Sequence, residues 1–112
     1  MPVQKYDQTL PSLVKNGVSR RLIHTNNLMT VIIDFSNGPW NAPDPLHSHP
    51  HEQTTYIAEG EVLFICEGEI DQKLSVGDMF YVASNKKHAI QLLSTKARLV
   101  DSFNPIRKDF LE

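Results

Sequence analysis

The chain has 112 residues, 40% of them hydrophobic and 21% charged, with a formal net charge of -2. That length holds one compact core, and the composition is that of a globular domain rather than a disordered segment. The slight acidic balance excludes a general nucleic-acid binder, which needs a basic face against phosphates.

Cys66 is the only cysteine, so no intrachain disulfide forms and a reducing compartment is the simpler expectation. No apolar run is long enough for a signal peptide or a bilayer span. These features predict a cytoplasmic protein with neither a membrane nor a nucleic acid as partner.

Residues 1–17 read as an N-terminal segment whose weak helix signal, over Gln8–Lys15, is interrupted by Pro11. From there on, strand signals recur at short, regular spacing: 18–24, 28–36, 54–60, 61–68, 69–76, 79–83, 88–94 and 97–103. Turn residues separate them at Asn26-Asn27, Asn37-Gly38-Pro39, Gly60, Glu67-Gly68, Gly77-Asp78 and Ser84-Asn85. About eight short strands predict an all-β single domain, a closed barrel or double-sheet jelly roll spanning residues 18–103. A tail over 104–112 would cross the barrel mouth. Side chains alternate along each strand, so a cavity inside such a barrel sees every second residue.

Three of the five histidines fall at His47, His49 and His51, followed by Gln53. All four share one parity, although Pro50 breaks the ladder and marks a bend. The spacing predicts that His47 and His49 point together into the barrel, that Gln53 opens the next strand facing inward, and that His51 lies at the rim. Two imidazoles one residue apart on one strand face make a chelate for a metal ion. A histidine-rich surface turn is the alternative for an isolated His-x-His.

The longer pattern narrows this. From His47-x-His49, three residues lead to Gln53 and six more to Gly60; downstream, Gly77 opens a segment that reaches His88. This arrangement resembles the two-part metal motif of the cupin family, with five departures, the first being that the usual glycine ahead of the first histidine is missing, although Gly38 lies near. Gln53 stands where the family usually has glutamate, Ala83 and Asn85 stand for a proline and a glycine, and Leu92 for the closing asparagine. Asn85 still suits the left-handed turn that the glycine would provide.

Carried over position by position, the resemblance implies a cupin-type β-barrel holding one divalent metal ion on His47, His49, Gln53 and His88. Glu52 or His51 would replace Gln53 if the bend shifts the register. Imidazole and amide oxygen suit nickel, zinc, manganese, iron or cobalt. Because every donor in the set is neutral, the ion keeps nearly its full charge, making it a stronger Lewis acid and a better anchor for an anion. The set also lacks the carboxylate of the two-histidine iron oxygenases.

On the last strand Leu99, Asp101 and Phe103 share one face, and Pro105 ends the strand. If that face lines the barrel, Asp101 is a buried carboxylate needing a partner. Arg107, returning after the proline, is one candidate. The alternative is a structural ion pair for Asp101, solvated Arg107 and Lys108, and Phe103 as core.

The combination of HSHPHEQ with Asp101, Phe103, Pro105, Arg107, Asp109, Phe110 and Leu111 is similar to the pectin-degradation cupins of the KdgF type. That resemblance implies ring opening of 4,5-unsaturated monouronates to the linear keto sugar. It implies Asp101 as the proton shuttle, Arg107 on the substrate carboxylate and Phe103 against the sugar face. It also implies a homodimer, with an edge strand near the N-terminus as a place to pair. A small metal-dependent oxygenase and a non-catalytic sugar-binding cupin are the competing readings.

Overall fold

A computed structural model describes residues 2–112. Among them are nine strands: β1 (Ser12–Lys15), β2 (Val18–His24), β3 (Met29–Phe35), β4 (Glu52–Glu59), β5 (Val62–Cys66), β6 (Gln72–Leu74), β7 (Met79–Val82), β8 (His88–Leu92) and β9 (Ala97–Asn104). Single 3-10 turns lie at Tyr6–Gln8 and Lys108–Leu111. No helix is long and apolar enough to cross a membrane.

The strands form two antiparallel sheets, one ordered β1-β2-β3-β9-β4-β7 and the other β6-β5-β8. The alternation expected from sequence is plainest on β9, where Ala97, Leu99, Asp101 and Phe103 are buried and the residues between them are not. On β4 the buried set is Gln53, Thr55 and Ile57. Cross-strand register aligns Val31, Asp101, Thr55 and Phe80 in one row of the inner face, and Met29, Phe103, Gln53 and Val82 in the next.

The core divides in two. Val18, Phe35, Ile57, Val62, Leu92, Ala97 and Leu99 close one end of the barrel. Met29, Val31 and Phe103 form a second cluster, against which Leu22, Ile33, Ile106 and Phe110 pack. Phe64 of β5 stacks on Phe80 of β7 with centroids 4.0 Å apart, joining the two sheets along one side. On the other side no regular strand completes the small sheet. Instead the segment from Trp40 to His47 runs beside β8, donating backbone bonds from Trp40 to Leu92, from Asp44 to Ile90 and from His47 to His88.

Two expectations change. The weak helix signal over Gln8–Lys15 gives way to strand β1, which pairs with β2 through a tight hairpin. Pro11 is incompatible with a helix interior, and Gly17 at φ +81° supplies the turn that brings β1 back onto its neighbour. The strand expected over 69–76 shrinks to Gln72–Leu74, because a turn at Gly68 bonds the Glu69 amide to the Cys66 carbonyl. Gly60, the motif glycine, sits at φ +82°, where a Cβ would also collide with the Lys96 carbonyl.

Candidate metal centre and active-site cavity

His47, His49 and His88 offer ligand nitrogens that all lie within 4.8 Å of one another. The chain brings them together by backbone pairing. His47 and His88 exchange two backbone hydrogen bonds, of 3.0 and 2.9 Å, as an isolated antiparallel bridge. The β7–β8 turn holds the other end: Asn85, at φ +63°, donates its amide to the His49 carbonyl, and Ser84 Oγ donates to the Pro50 carbonyl. The bend at Pro50 is present, and β4 starts at Glu52.

His49 and His88 are buried, and His47, though exposed, lines the cavity and brings its ring to theirs. His51 is half-buried, and Glu52 is exposed.

The hydrogen bonds fix how these rings present themselves. His49 Nδ1 lies 2.9 Å from the His51 carbonyl, and His88 Nδ1 2.9 Å from the Lys86 carbonyl. A carbonyl only accepts, so each Nδ1 carries the proton and each Nε2 of the neutral ring keeps a lone pair. Burial favours those neutral forms. It pushes the His88 imidazolium pKa down to about 4. It also lowers that of His49, with the positive charge of Arg107 adding to the effect.

Gln53 lies beside the three histidines. Its amide Nε2 donates to Thr55 Oγ1 at 2.9 Å, which turns its Oε1 towards His49 Nε2, 3.0 Å away. Two lone pairs that close repel one another unless a cation lies beside them. The donors therefore fit a divalent transition-metal ion, with second-layer bonds of the kind that orient metal-bound imidazoles.

Thr55 links this cluster to a carboxylate. Its hydroxyl donates to Asp101 Oδ1 at 2.6 Å, and both residues are buried. Burial pushes the Asp101 carboxyl up to about 6, against the Thr55 bond and the nearby Arg107 charge, which both favour the anion. Asp101 can therefore exist in either protonation state near neutral pH.

The direct partner of Asp101 is thus Thr55, not Arg107. Arg107 makes a two-pronged pair with Asp109 instead, Nη2 to Oδ2 at 2.8 Å and Nε to Oδ1 at 3.2 Å. Two positions along the chain bring these groups together with little loss of chain freedom, whereas Asp101 is buried within β9. The Arg107 guanidinium covers Phe110 at 4.2 Å and Phe103 at 5.2 Å. Phe103 is itself buried and meets His49 edge-on at 5.8 Å.

Gln53, His47, His88, Asp101, Phe103 and Arg107 all line one cavity of about 260 Å³. That is somewhat below the usual range for drug-sized ligands, about 300–1,000 Å³, and suits one sugar ring.

A family model described as a cupin domain matches residues 39–103. The chain belongs to the cupin family. It is 33% identical over 107 residues to the pectin degradation protein KdgF of Dickeya dadantii, covering 94% of each chain. It is similar in structure to KdgF from a Halomonas species, with a TM-score of 0.85, 30% identity, and 95% and 96% of the two chains covered. An RmlC-like cupin from Shewanella frigidimarina aligns with a TM-score of 0.84 and 31% identity over 96% and 93%.

Sequence reasoning on this cupin missed Thr55 and Arg20, and both had a signal. Thr55 shares the inward parity of Gln53 on β4. Arg20 and Arg21 are adjacent on β2, so one of them must face inward, and Val18 shows which side that is. Lys15 and Asp44, paired at 2.6 Å at the mouth with Lys15 over Trp40, were also unforeseen.

Proposed function

We propose that this cupin opens the ring of 4,5-unsaturated monouronates, from pectin or alginate breakdown, to the linear keto sugar. The observation that carries the proposal is a buried carboxylate, Asp101, sharing one sugar-sized cavity with Arg107 and with His47 and His88, two of the three clustered histidines. The likeness to KdgF proteins along nearly the whole chain supports the substrate class.

The reaction is an isomerisation. The substrate is a cyclic hemiacetal whose C4=C5 bond is an enol ether conjugated to a carboxylate. Opening removes the proton of the anomeric hydroxyl, breaks C1–O5 and adds a proton at C4, so the net change is one proton moved from O1 to C4. Asp101 moves it, taking the proton as the hemiacetal collapses and returning it to carbon. A pKa near neutrality suits both halves of that task.

Arg107 contributes to holding the carboxylate end, and Phe103 packs against the sugar face. His47, His49, Gln53 and His88 would hold a divalent ion of the nickel, zinc, manganese, iron or cobalt class. When bound, that ion supplies Lewis-acid stabilisation of charge developing on the ring oxygen.

In assembly, the exposed edge β1, with Leu13 77% exposed on it and Leu10 92% exposed just ahead of it, suits pairing with a second copy. We propose a homodimer through that edge; a monomeric mass by light scattering at micromolar concentration would reject it.

The deciding experiment follows the ultraviolet band of the C4=C5 bond in lyase-derived monouronates, with metal-loaded protein against a chelated control. Metal-dependent acceleration is expected. No acceleration with galacturonate- or mannuronate-derived substrate overturns the proposal. Oxygen uptake would instead indicate an oxygenase, and binding without turnover a sugar-binding module.

A further inference from the structure

We infer that Arg20 is the main carboxylate anchor of the cavity, holding the anionic end of the ligand against the wall formed by β2 and Phe110. Of the four arginines, Arg21 and Arg98 both bind Asp34, and Arg107 binds Asp109. Arg20 lines the cavity and has no ion-pair partner among the described residues. Its Nε is buried without any hydrogen-bond partner. A buried donor left unmade costs more than a made bond gains, so an orphan here points to a group that arrives with the ligand.

The surroundings indicate the charge of that group. The Arg20 guanidinium stacks on the Phe110 ring at 3.7 Å, and Arg107 lies over the same ring at 4.2 Å. Two guanidinium groups thus share one aromatic ring; Asp109 is paired with Arg107, and Asp101, the cavity's other carboxylate, is bonded to Thr55, so neither neutralises Arg20 directly. Desolvation lowers the pKa of Arg20, the Arg107 charge adds to this, and Asp109 opposes it. An arginine does not lose its proton in a protein, so an incoming anion is what neutralises it.

Geometry favours Arg20 over Arg107 as the first contact. The Nε–Nη2 edge of Arg107 is already taken by Asp109. The Nε of Arg20 is free, and a planar guanidinium fork matches a planar carboxylate better than it matches a hydroxyl or a carbonyl.

The inference rests on the cavity being the sugar site proposed above, so the experiment keeps the two separable. Binding of D-galacturonate and of uncharged D-galactose is measured by ligand-observed NMR on the full, metal-loaded chain. The wild type is compared with Arg20→Met and Arg20→Lys, alongside the KM and kcat for unsaturated uronate.

The wild type should prefer the uronate. Arg20→Met should weaken uronate binding about tenfold or more, the size of one lost charge-assisted contact. Galactose binding should not change, Arg20→Lys should fall between, and KM should rise with little change in kcat. Thermal melts check that each variant folds, and Arg20→Gln replaces the methionine variant if that one does not.

An unchanged uronate preference in the folded variants overturns the inference, as does a wild type with no such preference. Turnover that continues with an Arg20-independent KM sinks Arg20 alone. An Arg20-dependent uronate preference without turnover sinks the ring opening alone.

Discussion

At the histidine end of the cavity, His49 and His88 are each held by a backbone carbonyl, and Gln53, Thr55 and Asp101 are joined in one buried chain of hydrogen bonds. At the tail end, Arg107 and Asp109 pair with each other at the 3-10 turn beyond the last strand, and Arg107 and Arg20 of β2 rest on the Phe110 ring. Hydrogen bonds in a buried chain have direction and specify one arrangement. An ion pair open to solvent, resting on a ring, tolerates several. The first end is therefore held in one arrangement, and the second is free to adapt.

The comparison breaks most sharply if the rigid end can lose a ligand without consequence. His88→Ala should weaken metal binding by at least about 100-fold, more than the loss of a second-layer partner. Competition against a chromophoric chelator measures this directly. Affinity within a few-fold of wild type would remove the metal centre from the account.

Asp101→Asn should lower the ring-opening rate about 10²–10⁴-fold, the usual contribution of one acid–base group, with metal content unchanged. Its effect on stability has the opposite sign. Folding raises the Asp101 pKa from 3.8 to about 6. The native state therefore binds the proton more tightly than the unfolded chain. The stability this group contributes is fully present below 3.8 and is lost as pH rises through about 6, by at most about 3 kcal/mol. The asparagine variant escapes that loss, so its melting temperature should exceed the wild type's at pH 7–8 and not at pH 4. A variant that is slower and less stable at pH 8 would mean the carboxylate is needed for packing rather than chemistry.

Thr55→Val separates orientation from ligation. It deletes the hydroxyl that accepts from Gln53 and donates to Asp101, while keeping the shape. The Gln53 amide is then free to flip, and metal affinity should fall about tenfold, within the range found for second-layer partners. Thr55→Ser should restore it. Equal affinity in both variants would show that packing alone orients Gln53.

The same contrast explains what could be read in advance. The histidine end was legible because strands have a strict period of two and the motif spacing is carried by that period. Inner-face parity alone places Gln53, Leu99, Asp101 and Phe103. Thr55 obeyed the rule too, but an inward threonine looks like any β-branched strand residue until its hydroxyl has named partners.

The tail end has no period to read. Pro105 ends the strand, and the choice of Asp109 over Asp101 as the partner of Arg107 depends on how a four-residue turn folds back. β1 was illegible for a related reason. Four residues next to a proline carry little signal, and they become a strand only because β2 is there to pair with.

The smallest expected effect tests the adaptable end. The Asp109 side chain is 55% exposed, against 16% for Arg107, so their ion pair is partly screened and worth at most about 1 kcal/mol. In the free protein Asp109 occupies the Nε–Nη2 edge of Arg107, the edge best shaped for a ligand carboxylate. Asp109→Asn removes the competitor and its negative charge. KM for an anionic sugar should then fall, by up to about fivefold for a change of that size, with kcat and melting temperature little altered. A rise in KM would reverse the assignment: Asp109 would be the post that holds Arg107 in place, and the tail would be as preorganised as the histidine end.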